Sequence, residues 1–383
     1  MINTRQKIIW KILRPLVIVF LYFKFGYTFK VAKNLPENYI ILSNHNTDFD
    51  PLFVGASFKN SIGFVASEHI SRWKHAFKFL NFIFLVITRS KGTNAASTVK
   101  EMLRALRGGD SICMFAEGAR SPNGITMPIL PSTGKVVKSA RCALVTYKIT
   151  GGYFASPMWS EGGTRRGRVH GEVVNIYSAD DIAKMTTQEI NDIINADLHE
   201  DAYETQHKSP SKYTGKQLAV KMESVLFYCP HCESIDTLTS RKDTVTCSNC
   251  GCSFKFTKYG MIEGLKQTTF KELFLWLKDK VEFDAKNNAS YSANNADIQT
   301  VHNHKETLLS TGELYLDREV MRCGDVVINI EDIEDFAMHG KYAIVLSTKD
   351  AYYEILLKDG TSGFKFFMLF QAYKYGCINK FNF

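Results

Sequence analysis

A chain of 383 residues has the length of roughly two to three domains and can bury a substantial core. Hydrophobic residues at 45% and charged residues at 22% are ordinary for a globular protein and exclude the compositional extremes of disordered or fibrous chains. The net charge of +8 is concentrated in the N-terminal quarter, where residues 1–107 hold 16 Lys and Arg against 5 Asp and Glu; this suits an anionic partner, nucleic acid or a lipid surface.

The chain opens with "MINTRQKIIWKILRPLVIVFLYFKFGYTFKVAK". Ile8, Ile9, Ile12 and Leu13 alternate with Arg5, Lys7, Lys11 and Arg14, an amphipathic helical pattern with a basic side. The fully apolar run from Pro15 to Phe23 is too short to span a bilayer, which takes about 20 residues. No small-residue cleavage site follows, so no removed signal peptide is expected. Residues 1–35 are expected to lie at a membrane interface, with Trp10, Phe20, Tyr22 and Phe23 in the acyl boundary and the cations at head groups. The competing reading is a core helix.

Strands are predicted at Tyr39–Ser43, Ile62–Ala66, Phe82–Thr88, Ser111–Phe115, Ala143–Thr150 and Val169–Tyr177, with helices at 51–57, 69–80 and 94–107. Several of the strands are apolar throughout, as strands covered on both faces are, which indicates an α/β sheet with parallel members. Ligands of such sheets gather outside the carboxyl ends of the strands. His45 falls just past the first of these ends, Arg89 past the third and Glu117 past the fourth.

The first strand runs into "NHNTDFDP". Asp50-Pro51 reads as an N-cap followed by proline at the first helical position, with the loop curling His45 back towards the carboxylate. A carboxylate on one imidazole nitrogen fixes the tautomer and leaves the other nitrogen to take a proton, which would make His45 a general base. Taken alone, the pair reads more readily as a capping aspartate beside an incidental loop histidine. Asp48 reads as a solvated loop residue. Lys100, Arg104 and Arg107 read as the solvated face of a helix.

The neighbouring segments change that balance. "NHNTDFD", "FIFLVITRS", "MFAEGARS" and a blurred "ALVTYKITGG" arrive in the order of the four sequence blocks of the bacterial 1-acylglycerol-3-phosphate acyltransferase family, which the chain resembles over about residues 1–205. The resemblance implies a glycerolipid-acyltransferase-like α/β sheet covered by helices over 36–205, on the cytoplasmic side of the cell membrane. It implies that His45, oriented by Asp50, takes the proton from the free hydroxyl of a lysophospholipid acceptor. The oxygen then attacks an acyl thioester, of acyl-CoA or acyl-carrier protein, with no catalytic cofactor and no covalent acyl-enzyme. It also implies acceptor binding by Arg89, Glu117, Gly118 and Arg120, the two guanidiniums being suited to a phosphate by their forked donors. Ala116 and Ala119 depart from the usual proline and threonine of the third block, the second change removing a hydroxyl beside the expected phosphate site.

Residues 206–226 are expected to form a linker helix. "CPHC" and "CSNC" then set Cys229, Cys232, Cys247 and Cys250 as two C-x-x-C knuckles fourteen residues apart, a four-thiolate set that structural Zn²⁺ accepts, and 227–262 resembles a zinc ribbon. A disulfide pair is the alternative. His231 and Cys252 read as bystanders. The charges between the knuckles are mixed, so no nucleic acid is expected there. Residues 263–305 read as a helix and a polar, asparagine-rich linker. From 306 to 383, six short strands and a terminal helix suggest a β-rich domain similar to the pleckstrin-homology-like group, a likeness of architecture that carries no ligand. The function classes left open are a membrane-surface acyltransferase and a non-catalytic lipid-binding or scaffolding protein that uses the ribbon for a protein partner.

Overall fold

A computed structural model describes residues 1–67, 74–89, 95–302, 305–358 and 360–378. The chain divides into two units. The first takes the described residues of 1–158 and 163–215, the second residues 159–162 and the described residues from 216 onward.

The first unit opens with helix α1 (Thr4–Phe25), followed by β1 (Tyr27–Phe29), β2 (Tyr39–Ser43), α2 (Asp50–Ser57), β3 (Gly63–Ser67), α3 (Lys74–Ile83), β4 (Val86–Arg89) and α4 (Ala95–Arg107). Next come β5 (Ile112–Phe115), α5 (Thr133–Ala140), β6 (Ala143–Thr150), α6 (Gly152–Ala155), β7 (Val169–Tyr177), α7 (Ala179–Lys184), α8 (Thr187–Leu198) and α9 (Ala202–Lys208). The strands form one sheet in the order β1-β7-β6-β2-β5-β3-β4. Strands β6, β2, β5, β3 and β4 run parallel, while β7 pairs antiparallel with β6 and carries β1 parallel to itself. The expected α/β sheet is present, with β2 at its centre. Ile40, Leu42, Ile112 and Leu144 turn one face of it onto Met102 and Leu106 of α4, Val137 of α5 and Ile190 and Ile194 of α8, all buried.

One predicted strand is displaced. The run "NFIFLVI" predicts a strand from Phe82, but α3 continues to Ile83 and the strand is Val86–Arg89. A continuous apolar run does not distinguish a buried helix end from a buried strand. The part of the helix expected at 69–80 that precedes Lys74 lies outside the described residues, as does residue 94 of the next.

Helix α1 is continuous over 22 residues with Pro15 inside it. Asn3 and Gln6 form a capping box at its start, and it ends at Gly26, whose φ of 69° suits glycine and where a Cβ would lie 2.0 Å from Gly167 O. One face of α1 belongs to the core. Gln6 donates to Phe84 O at 2.8 Å, and Trp10, expected in the acyl boundary, is instead fully buried against Phe84 and the bare Cα of Gly55. The opposite face presents Ile8, Ile12, Leu16, Val19 and Phe23, one stripe at helical spacing, all exposed.

The linker helix expected at 206–226 does not form. Helix α9 stops at Lys208, ahead of Pro210; Thr214 pairs its backbone with Arg166, and the remainder holds one 3₁₀ turn at Met222–Ser224. Leu218, Met222 and Val225 do have helical spacing, but Lys221 at φ 70° breaks the path between them.

The second unit opens on a small antiparallel sheet of β8 (Leu238–Arg241), β9 (Thr244–Cys247), β10 (Ser253–Phe256) and β11 (Ile262–Glu263). Helix α10 (Phe270–Lys286) leads to β12 (Tyr291–His302), β13 (Lys305–Leu316), β14 (Val320–Cys323), β15 (Val326–Asn329), β16 (Asp335–His339), β17 (Ala343–Ser347) and β18 (Tyr352–Leu357), and the unit closes with α11 (Gly363–Tyr375). These seven strands form one antiparallel sheet ordered β15-β14-β13-β12-β18-β17-β16. Helix α11 is buried from Phe364 to Ala372, as a helix apolar on all sides must be, and Phe370 stacks on Phe336 of β16 at 4.4 Å. The asparagine-rich stretch read as linker is β12. Tyr291, Ala293, Ala296 and Ile298 are buried in alternation, with a bulge between Ala293 and Ala296 that shifts the period by one. Small alanines on the inner face and asparagines on the outer one hid the strand.

Candidate active site

Strand β2 is flanked by β5 and β6, so the loops that follow these three strands converge. They bring together His45 after β2, Glu117 after β5 and Gly151 after β6. Ser121 N donates to His45 O at 3.2 Å, tying the second loop onto the first.

Asp50 does not cap α2 as expected. Phe49 is the N-cap residue, and Asp50, fully buried in the first turn, aims its carboxylate back into the loop. Oδ2 accepts from Asn46 N at 2.6 Å, Thr47 N at 2.9 Å and His45 Nδ1 at 2.8 Å, while Oδ1 accepts from Thr47 Oγ1 at 2.7 Å. A carboxylate can only accept, so Nδ1 is the donor of this bond, and in the neutral imidazole that leaves the lone pair on Nε2. The ring of His45 is 23% exposed and stacks on Phe115, with centroids 4.5 Å apart. It is therefore held on two sides and open on a third. Thr47 fixes the carboxylate that fixes the histidine.

Glu117, expected among the acceptor-binding residues, is buried at 2% exposure. Its side chain points inward, accepting from His45 N at 2.6 Å on one oxygen and Met127 N at 2.7 Å on the other. Burial pushes this carboxyl well above the usual range, against the pull of the two N–H donors. Glu117 thus holds the histidine loop. Gly118 makes the turn after it at φ 72°, a conformation that favours glycine. Arg120 stands at the rim, 22% exposed, with Nη1 3.2 Å from Asp48 Oδ2, so Asp48 is an ion-pair partner and not merely a solvated residue. Arg89 ends β4 beside Ser67 and is exposed. The register through β3 and β5 sets it level with the end of β2, but three strand spacings away, about 14 Å.

Four side chains that matter to the loop were not anticipated. Phe115 and Thr47 are two of them. Asn44 mimics a strand residue, donating to Ile149 O at 2.8 Å and accepting from Ile149 N at 2.8 Å. Glu200, buried between α8 and α9, accepts from Gly151 N at 2.9 Å, and burial pushes it up to about 8. Nothing in the local sequence marks it.

In the second unit, Cys229, Cys232, Cys247 and Cys250 converge, their sulfurs all within 4.8 Å of one another. Two of the pairs, Cys229–Cys250 and Cys232–Cys247, are 3.8 Å apart. Tetrahedral bonds of about 2.3 Å require sulfurs about 3.8 Å apart, so the set fits one metal ion. Ser234, Asn249 and Thr237 set polar groups against the sulfurs, at 3.3 Å from Cys232, 3.6 Å from Cys232 and 3.2 Å from Cys247 respectively.

Residues 27–150 match the acyltransferase family model. No curated protein matches the chain. Among solved structures, the chain is similar to the 1-acyl-sn-glycerophosphate acyltransferase PlsC from Thermotoga maritima, at 16% identity and a TM-score of 0.44, over 54% of this chain and 81% of that one. The matched segment begins at the first residue of β1 and ends at the last residue of β6, so it contains the strands that converge on His45.

Proposed function

We propose that this domain moves an acyl group from an acyl thioester to the free hydroxyl of a lysophospholipid, with 1-acylglycerol-3-phosphate as acceptor and phosphatidate as product. The observation that carries the reading is the His45–Asp50 pair, in which Nδ1 faces a buried carboxylate while the imidazole side chain stays 23% exposed. Nε2 takes the hydroxyl proton as the acceptor oxygen bonds to the thioester carbon. Asp50 stabilises the imidazolium that results. When the tetrahedral adduct collapses, the C–S bond breaks and the imidazolium returns its proton to the departing thiolate of acyl-CoA or acyl-carrier protein. Arg120 lies in the loop tied to His45 and supplies a guanidinium for the acceptor phosphate, releasing Asp48 as it does so. Arg89 meets the same acceptor, or the donor, from the far end of the rim.

The test is transfer of a radiolabelled acyl group to a panel of lysolipids that differ only in head group. Phosphate-monoester acceptors should be preferred, and Arg120→Ala should raise their KM about tenfold or more with a smaller change in kcat. Equal use of uncharged acceptors by wild type and variant would reject the phosphate reading.

The domain works at the cytoplasmic face of the cell membrane as a peripheral protein, with α1 lying flat on the lipid. Among the described residues no helix is long and apolar enough to cross a membrane. The stripe of Ile8, Ile12, Leu16, Val19 and Phe23 supports the interfacial reading. Phe79 and Phe82 of α3 are also exposed, and Arg5 lies over the Phe82 ring at 5.0 Å. Replacing Leu16 and Phe23 together by glutamate should lower partitioning into anionic vesicles about a hundredfold or more, since each apolar side chain contributes about 1.5–3 kcal/mol. Unchanged sedimentation with vesicles would sink the interfacial helix. The four cysteines hold a structural zinc ion, which takes no part in the transfer.

A further inference from the structure

Three buried carboxyl groups surround the histidine loop, from three different directions. Asp50 reaches it from α2 and Glu117 from the turn after β5. The third, Glu200, comes from the turn between α8 and α9, fifty residues beyond the end of the segment that matches the family model. Its Oε1 accepts from Gly151 N at 2.9 Å, at the end of β6. Its Oε2 faces two side-chain amides, Asn44 Nδ2 at 3.4 Å and Asn46 Nδ2 at 3.5 Å. These are the residues immediately before and after His45.

We infer that Glu200 is a positioning residue for His45: it fixes Asn44 and Asn46 against the end of β6 and so sets the direction of the imidazole between them. The path from Glu200 to the ring is short. Asn46 donates its backbone N–H to Asp50 Oδ2 at 2.6 Å, and that same oxygen accepts from His45 Nδ1 at 2.8 Å. A shift of Asn46 therefore shifts the partner of the ring nitrogen. The backbone of Glu200 is locked as well. Its O accepts from Thr126 N at 2.9 Å and its N donates to Thr126 Oγ1 at 2.9 Å, next to Met127, whose N–H binds Glu117. Glu200, Thr126–Met127, Glu117 and residues 44–46 thus form a closed ring of hydrogen bonds around His45. Three N–H donors face the Glu200 carboxyl, whose two oxygens accept from them; in an amide one of those acceptors becomes an NH₂ donor.

Glu200→Gln is nearly isosteric, so it preserves packing while setting donors against donors. The experiment uses the full chain with ¹⁵N-labelled histidine, in which His45→Ala identifies the His45 signals among ten histidines. In Glu200→Gln the His45 Nδ1–H resonance should be displaced. For the reaction proposed above, on which the kinetic part of this inference rests, kcat should fall roughly 10- to 100-fold with both KM values within twofold. A space-filling role would leave both unmoved. An unchanged His45 resonance overturns the assignment whatever the turnover. Wild-type protein that transfers no acyl group overturns the proposed reaction instead, and the resonance still decides Glu200. Should Glu200→Gln fail to fold, Asn46→Ala removes one of the two amide donors from the loop side and should displace the same resonance.

Discussion

His45→Ala is expected to lower kcat for acyl transfer by roughly 10²- to 10⁴-fold, the contribution of a positioned general base. The loss should fall on kcat and on kcat/KM alike, because the imidazole acts on a proton that moves only in the transition state. Stability should barely change. The imidazole is 23% exposed, and the Asp50 carboxylate keeps three other hydrogen bonds, from Asn46 N, Thr47 N and Thr47 Oγ1. Asp50→Ala should behave differently. It strands two buried backbone N–H groups, each costing about 1–3 kcal/mol, so activity and melting temperature fall together. Steady-state release of free thiol, measured beside thermal melts of both variants, separates the two cases. Turnover by His45→Ala close to that of wild type would remove the base from the mechanism and favour a lipid-binding role for the fold.

The His45–Asp50 pair is legible through the sequence blocks that frame it; the five-residue spacing at the end of an apolar strand by itself favours a capping aspartate beside a loop histidine. Strands β2, β5, β6 and β7 could be read for a different reason: burial on both faces, or on one, writes itself directly into residue type. What the sequence did not show is direction. Nothing in "DFDP" tells whether Asp50 faces forward into its helix or back into its loop, and the answer depends on which backbone N–H groups the fold leaves unpaired. The same holds for Glu117, which the resemblance sends to the acceptor and the structure turns to His45 N and Met127 N. Trp10 has the composition of an interfacial anchor but fits a slot that Gly55 leaves open, a tertiary coincidence invisible along the chain. Glu200 is the extreme case, since its partners lie 49 to 156 residues away.

Withdrawal of the metal from the four-cysteine cluster is expected to unfold the ribbon and loosen what is clamped to it. Purified protein should carry about one zinc per chain. A structural zinc site is worth roughly 10–16 kcal/mol in small domains, and the sheet of β8–β11 has little core of its own to replace it. The residues beside the first knuckle are hydrogen-bonded into the rest of the second unit. Tyr228 donates to Asp284 Oδ2 of α10 at 2.6 Å, where Tyr291 of β12 also donates at 2.8 Å. Glu233 pairs with Lys280 at 3.1 Å. Asp236 pairs with Lys365 of α11, an ammonium only 1% exposed whose other partner is Ser292 O at 2.6 Å. If the knuckle opens, Lys365 is left buried with half its partners, a state that costs several kcal/mol. Amide exchange after chelation should therefore accelerate first over 227–256 and then at the start of β12 and in α11. Cys232→Ser should reproduce the effect, and Cys377→Ser, outside the cluster, should not. Metal-free protein that kept its protection throughout would show that the four sulfurs do not hold this unit together.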